Sequence, residues 1–257
     1  MSARQQLTAL ATILIKEITR FVRIWQQSIV QPAVTTCLYF VIFGNLIGSR
    51  IGEMGGYPYM DFIVPGLILM AVITNSYMNT VSSFFSAKFQ HSIEELLVSP
   101  TPNYLILLSY VAGGVARGFT VAVVVALVSL FFTDLHIHNP LVLFTTVILT
   151  AVLFSLGGFI NGVLARTFDD LSTIPTFVLT PLTYLGGIFY SIKLLPEFWQ
   201  KVSLANPILY MINAFRYGFL GISDISLGVS YTIICGFVAA LFAINLRLLN
   251  KGYGIRS

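Results

Sequence analysis

Long apolar stretches without charge, each about the length of a membrane-crossing helix, divide this chain. Crossing the hydrocarbon layer takes about 20 helical residues. Runs of that kind occupy residues 24–49, 62–87, 135–165, 171–192 and 225–246. A further run, 104–132, is interrupted once, by Arg117. This pattern predicts six transmembrane helices. The stretch 202–215 is apolar too, but stretches so short are more often re-entrant, interfacial or buried than spanning.

Small and ring-forming residues mark the spans further. Gly114 and Gly118 are four apart, as are Gly158 and Gly162, and small residues at that spacing let helices approach closely. Pro181 lies within the fifth run, with Gly186 and Gly187 after it. A proline there frees a carbonyl and kinks the helix; such a kink serves a transport path or is purely structural. Ahead of the first run, Leu7, Leu10, Leu14, Ile18 and Phe21 recur at helical spacing, with Lys16, Arg20 and Arg23 roughly opposite. This amphipathic helix lies in the headgroup layer with its cations near anionic lipid, or else continues the first span. Pro32 offers a bend that favours the first arrangement.

Loop charge sets the orientation, because Lys and Arg accumulate on the cytoplasmic side. With the N-terminus inside, the cytoplasm receives Arg4, Lys16, Arg20, Arg23, Lys88, Arg166, Arg247, Lys251 and Arg256. The outside receives Arg50, Lys193, Lys201 and Arg216. Both termini are therefore expected in the cytoplasm.

Composition agrees. Of 257 residues, 56% are apolar and 9% charged, against about 25% charged in soluble domains. Mean hydropathy is +0.87. A bilayer removes the need for a charged surface. The net charge of +4 does not point to nucleic acid, because the cations are scattered between apolar runs and form no stripe with interleaved aromatics. Cys37 and Cys235 sit inside apolar runs, fit neither a disulfide framework nor a metal spacing, and read as buried, inert thiols. No short apolar core followed by a small-residue cleavage site opens the chain, so no cleaved signal peptide is expected.

One inner loop departs from a plain connector. In Gln90-His91-Ser92-Ile93-Glu94-Glu95-Leu96-Leu97-Val98-Ser99-Pro100, Ser92 precedes Glu95 by three residues, the spacing of a capping box. Ile93, Leu96 and Leu97 then form one apolar face, and Pro100 and Pro102 end the helix. Such a face is unusual on a loop unless something covers it, which makes the segment a docking helix for a cytoplasmic partner; a solvated loop helix is the plainer alternative.

This segment resembles the coupling-helix region of ABC-2-type permeases. So do Gly187-Ile188-Phe189-Tyr190, then Leu195-Pro196 with Phe198-Trp199, and above all Asn206-Pro207-x-x-Tyr210 followed by Arg216-x-Gly218 and Gly221. The resemblance extends over nearly the whole chain. It implies an inner-membrane half-transporter in which two copies of this chain work with two copies of a separate ATPase. It implies extracellular re-entrant helices before the last span, matching 202–215. The expected fold is thus all-α and polytopic: an interfacial helix over 1–23, a membrane domain over 24–250 with six spans and a re-entrant segment, and a cytoplasmic tail over 251–257. Ile93, Glu94, Glu95, Leu96 and Leu97 are the expected contacts to the ATPase. Arg117 and Pro181 are candidates for the substrate path.

The chain has no Gly-x-x-x-x-Gly-Lys-Ser/Thr loop, so energy from ATP has to come from a partner. No cofactor and no metal are expected. Asp134, His136 and His138 cluster after the third run, but three polar residues in a short turn are more often solvated than ligating. Asp169 and Asp170, between the fourth and fifth runs, touch an ATPase or merely terminate helices. Arg117 lies about 20 Å along its helix. There it costs several kcal/mol unless paired or hydrated. It meets an anionic substrate or headgroup, or else it snorkels or pairs with a carbonyl. An ion-coupled secondary transporter is the rival to an ATP-driven exporter; such transporters usually need intramembrane carboxylates or His for ion coupling, which the spans lack. A membrane-embedded enzyme would need a polar catalytic set, also lacking. The residues do not specify the cargo.

Overall fold

The computed structural model describes residues 2–254; the side chains of Ala3, Asn45 and Leu97 lie outside the described set, as does Arg256. Helix dominates. The chain opens with α1 (Ala3–Arg23) and α2 (Gln26–Ile51). A two-residue hairpin follows, β1 (Glu53–Met54) against β2 (Tyr57–Pro58), closed by Gly55-Gly56 with φ of +65° and +82°. Next come α3 (Tyr59–Phe89), the short α4 (Ser92–Val98), α5 (Asn103–Ser129) and α6 (Pro140–Leu164). The chain then passes through α7 (residues 170–185), α8 (Glu197–Leu204), α9 (Pro207–Leu220) and α10 (Leu227–Lys251).

Five of these, α2, α3, α5, α6 and α10, are long and apolar enough to cross a bilayer. The fifth expected span, 171–192, is helical only as far as Leu185. Gly187 then turns the chain at φ +80°. At 1.5 Å per residue α7 reaches about 24 Å, short of the roughly 30 Å hydrocarbon layer.

α3 is the hub. In its most apolar stretch 72% of residues are buried, against 12% in α2 and 11% in α10. The glycine pairs explain how it is enclosed. A Cβ on Gly114 would strike the Thr80 and Ser155 hydroxyls, and one on Gly118 the Ser76 hydroxyl. On the other side, a Cβ on Gly158 would lie 2.5 Å from the Tyr77 carbonyl oxygen, and Gly162 faces Phe84 and Val81. The first pair thus lets short side chains of α3 and α6 sit against the α5 backbone, and the second brings α6 onto the α3 backbone itself, as small residues do in membrane bundles. Gly158→Ala is expected to cost about 1–3 kcal/mol, because a backbone carbonyl cannot yield as a side chain can. Gly236→Ala on α10, inside the helix and with nothing within 4 Å, should instead stabilise by about 0.4–1 kcal/mol. Thermal unfolding of both variants in detergent checks the contrast.

The prolines act through wide turns. Pro32 follows a π-helical turn at Gln26–Val30, and Pro181 follows one at Pro175–Leu179. Proline cannot supply its own N–H, and the turn before it opens to i→i+5 bonding, as when Thr180 N–H donates to Pro175 O. A second wide stretch, Phe40–Ile47, lies higher in α2. The bend between α1 and α2 is at Ile24 (φ −103°, ψ 37°), not at Pro32, which sits within α2.

α1 is amphipathic, but its buried side is not the predicted stripe alone. Ile13, Glu17 and Phe21 are buried, whereas Leu7 is 69% exposed. The helix leans along the start of α5, from Gln6 beside Tyr104 to Glu17 against Gly113.

Three further expectations need correction. The stretch 202–215 is not one element: the chain breaks at Ala205-Asn206, where Pro207 starts α9 with its N–H dispensable at the first turn. Arg216 is not a loop cation but lies inside α9, 2% exposed. Cys37 is half-buried and Cys235 exposed, so neither is a core thiol.

Candidate functional site

The polar cavity in the membrane-spanning bundle is built where α2 leans on α3 and α5. Its volume is about 310 Å³. α2 supplies Gln27, Gln31 and Thr35, α3 supplies Thr74 and Asn75 beside Leu67, Met70 and Met78, and α5 supplies Arg117. The Asn75 side-chain N–H donates to Ala71 O at 3.0 Å, which turns its Oδ1 toward α5. Arg117 Nη2 donates to that oxygen at 2.9 Å. Arg117 is 7% exposed, and its Nε has no partner. The guanidinium therefore neither snorkels to a helix end nor pairs with a backbone carbonyl; it faces the cavity. Pro181 is exposed on α7 and is not among the cavity's lining residues.

Further along the same face of α3 lies a polar cluster the sequence reading missed. Glu17 of α1 is fully buried. Ser83 donates to its Oε1 at 2.6 Å, and Arg20 approaches its Oε2 at 3.5 Å. Arg20 also donates to Asn79 O at 2.8 Å and Asn79 Oδ1 at 2.9 Å. Gly113 makes the room, since a Cβ there would lie 2.6 Å from that of Glu17. One signal was available: Glu17 stands four residues from both Ile13 and Phe21, an acid on the apolar side of an amphipathic helix.

The short helix α4 expected between the second and third runs is present, with different chemistry at its start. No capping box forms. His91 is the cap residue, in the left-handed region at φ 57°, and its Nδ1 meets Glu94 Oε1 at 2.8 Å, while Ser92 Oγ donates to Ala87 O at 3.1 Å. Ile93 is 1% exposed and packs with Phe84, Ala87 and Ile106, with Leu96 against the same cluster. The Ile93 and Leu96 part of the apolar face is thus seated on the chain's own α3 and α5. Leu97 belongs to the helix, but its side chain lies outside the described set. Among its described side chains, those α4 leaves outside are Glu94, Glu95 and Val98, the last 88% exposed.

The loop after α6 joins this surface. Lys88 Nζ donates to Val163 O and Ala165 O, each at 2.8 Å, closing the end of α6 onto α3. Phe168 then meets the exposed Phe89 at a ring distance of 5.0 Å. Asp170 accepts from the backbone N–H of Arg166 at 2.8 Å and of Thr167 at 2.9 Å, contacts that hold its carboxyl below the usual range. Asp170 therefore fixes the loop, while Asp169 stays exposed.

The signature residues before the last span each have a structural task. Asn206 caps α9 through Ile208 N–H at 3.0 Å and donates to Leu182 O at 2.6 Å. Tyr210 donates to Leu204 O at 2.7 Å. Arg216 Nη2 donates to Gly187 O at 2.7 Å, and its guanidinium carbon sits 3.7 Å from the Phe62 ring centre. Gly218 O accepts from the backbone N–H of His138 and Asn139, and Gly221 ends the helix at φ +72°. Asp134 and His136 meet only through the Asp134 carbonyl, whereas His138 stacks edge-on against Tyr217. No group of three metal-ligating side chains occurs among the described residues.

A bundle of apolar helices around a polar cavity, with one short amphipathic helix seated on one end, is the architecture of a membrane transport subunit. The sequence profile of the ABC-2 type transporter family matches residues 8–220. The chain belongs to that family, and its setting is a membrane crossed several times. It is 58% identical, over 249 residues and 97% of both chains, to a protein of Escherichia coli K12 called inner membrane transport permease YadH. It is 22% identical to nodulation protein J of Neorhizobium galegae over 217 residues, 83% of this chain and 82% of that one. Nodulation protein J of Rhizobium leguminosarum bv. viciae is 20% identical over 215 residues, 83% of each chain.

Proposed function

We propose that this chain is the membrane half of an ATP-driven exporter of the inner membrane, paired with a second copy of itself and with a separate cytoplasmic ATPase. In this reading α7 completes a six-span set, the segment through α8 and α9 re-enters from outside, and both termini are cytoplasmic. The cavity beside Arg117 belongs to the substrate path, and Pro181 gives α7 its bend. The partner does the chemistry; its nucleotide cycle biases the permease between inward- and outward-open states through contacts that differ between them.

The observation that carries this reading is the composite surface of α4 and the 165–170 loop, where Glu94, Glu95, Val98, Phe89, Phe168 and Asp169 are all exposed. Apolar side chains rimmed by acids fit a partner groove with basic edges. Ile93 and Leu96 act from beneath, by fixing α4 to the bundle. An ion-coupled secondary transporter gains one point from the buried Glu17, yet that acid is engaged by Arg20 and Ser83.

The test separates docking from seating. Glu94→Lys with Glu95→Lys should lower thermal stability only slightly, by about 1 kcal/mol, since both side chains are exposed and only the first turn of α4 and the His91 contact are affected. It should reduce co-purification of the ATPase and slow its association about tenfold. Ile93→Ala should instead lower the stability of the permease itself by about 2–4 kcal/mol. If the double reversal still bound its ATPase and supported ATP-dependent transport in proteoliposomes at the original rate, this docking surface would be wrong. Transport driven by an ion gradient without ATP would favour the rival.

A further inference from the structure

Arg117 brings a full positive charge into the bundle and meets no carboxylate there. None of the residues lining its cavity is acidic, and none of the ion pairs among the described residues includes it. The carboxylate of Glu17 is engaged by Arg20 and Ser83. Among the described residues a single amide oxygen, from Asn75, is the hydrogen-bond partner of the Arg117 side chain, whose Nε is buried without one. A guanidinium carries five N–H donors and no acceptor. Buried charge in a membrane protein marks a pathway or a partner, and the partner missing here is an anion.

The rest of the lining limits what the anion can be. Gln27, Gln31 and Thr35 offer neutral donors and acceptors on the α2 side. Leu67, Met70 and Met78 form an apolar wall on α3, and methionines adapt to ligands of varied shape. A volume of about 310 Å³ takes a head group and the first carbons of a tail, at the small end of ligand pockets. We infer that this cavity is a binding site for an anionic amphiphile, whose phosphate or carboxylate sits on Arg117 and whose apolar part lies along Met70 and Met78. This deepens the exporter reading and rests on it only for the term substrate; the site itself can be tested without transport.

The purified chain, without an ATPase, would be placed in nanodiscs of zwitterionic phosphatidylcholine and titrated with dodecyl phosphate, with dodecyl maltoside as the neutral control. Dodecyl phosphate should bind and dodecyl maltoside should not displace it. Arg117→Gln keeps a donor for Asn75 but removes the charge; it should weaken binding about tenfold or more, the worth of a charge-assisted bond, while Arg117→Lys retains part of it. The Gln variant should also melt no lower than the parent without ligand, since it loses an unpaired buried charge. Nanodiscs containing phosphatidylglycerol distinguish the source: competition means a resident lipid head group, and no competition means a diffusing amphiphile. Equal binding of dodecyl phosphate by the parent and Arg117→Gln, or equal displacement by dodecyl maltoside, would overturn the inference while leaving the exporter reading standing. A Gln variant of clearly lower stability would assign Arg117 a structural tie and overturn it as well.

Discussion

Arg20→Ala is expected to lower the unfolding free energy by about 3 kcal/mol, the low end of the range for breaking a buried ion pair, since the Arg20 side chain is itself 28% exposed. Glu17 has no contact with solvent. Its Oε1 is satisfied by Ser83, but Oε2 has only Arg20, at 3.5 Å. Without Arg20 a carboxylate is left in an apolar interface between α1, α3 and α5, and Asn79 loses two donors at once. Replacing both members together, as Glu17→Leu with Arg20→Leu, should cost much less than Arg20→Ala alone, because no orphaned charge remains. Thermal unfolding of single and double variants in detergent gives the coupling directly. A double variant as unstable as Arg20→Ala would show that the loss comes from packing and not from the stranded carboxylate.

Arg216→Ala should have an effect of similar size, about 3 kcal/mol, at the opposite end of the molecule. Two terms contribute: the Gly187 carbonyl loses its charged donor, worth about 1.5–3 kcal/mol, and the desolvated stack on Phe62 is worth up to about 2 kcal/mol. They share one guanidinium and do not add fully. Arg216→Lys should restore little, because an ammonium lacks the planar fork that faces Phe62 and Gly187 O together. The loss should be local as well as global. Arg216 ties α9 to the turn after α7, so limited proteolysis should cut between 187 and 206 faster in the variant. Unchanged proteolysis and unchanged melting would refute this role.

Much of this architecture could be read from the sequence, because it depends on local composition. Five apolar runs became five long helices, and Gly114, Gly118, Gly158 and Gly162 marked the faces where α5 and α6 meet α3. The short helix at 92–98 was also legible, bounded by Pro100 and Pro102. Its covered side was not: an apolar face reads the same whether its own bundle or a partner buries it, and Ile93 meets the bundle. The capping box failed for a related reason, since His91 in the left-handed region starts the helix one residue before Ser92. Arg117 stood out as a lone charge in an apolar run. Its companions Gln27, Gln31 and Thr35 did not, because only the tertiary fold brings α2 alongside α3. Glu17 was hidden by distance, as Ser83 lies 66 residues away. The fifth span came out short because its predicted end was set by the next charge, Lys193, whereas the chain already turns at Gly186-Gly187.

The two wide stretches of α2 give that helix a mechanical freedom that the other four long helices, α3, α5, α6 and α10, lack. A π-helical turn accommodates one more residue than an α-helical turn, so it is a stored unit of slack. If the slack at Gln26–Val30 closed, or passed upward toward Phe40–Ile47, the backbone between would slip by one position. At 3.6 residues per turn, one position is a rotation of roughly 100°. Gln31 and Thr35 would then swing away from Arg117, and a different strip of α2 would take their place. With only 12% of its most apolar stretch buried, α2 has few neighbours to resist the twist. The chamber's chemical character therefore depends on the winding of one helix, and a screw motion with no broken span would suffice to exchange a wet lining for an oily one.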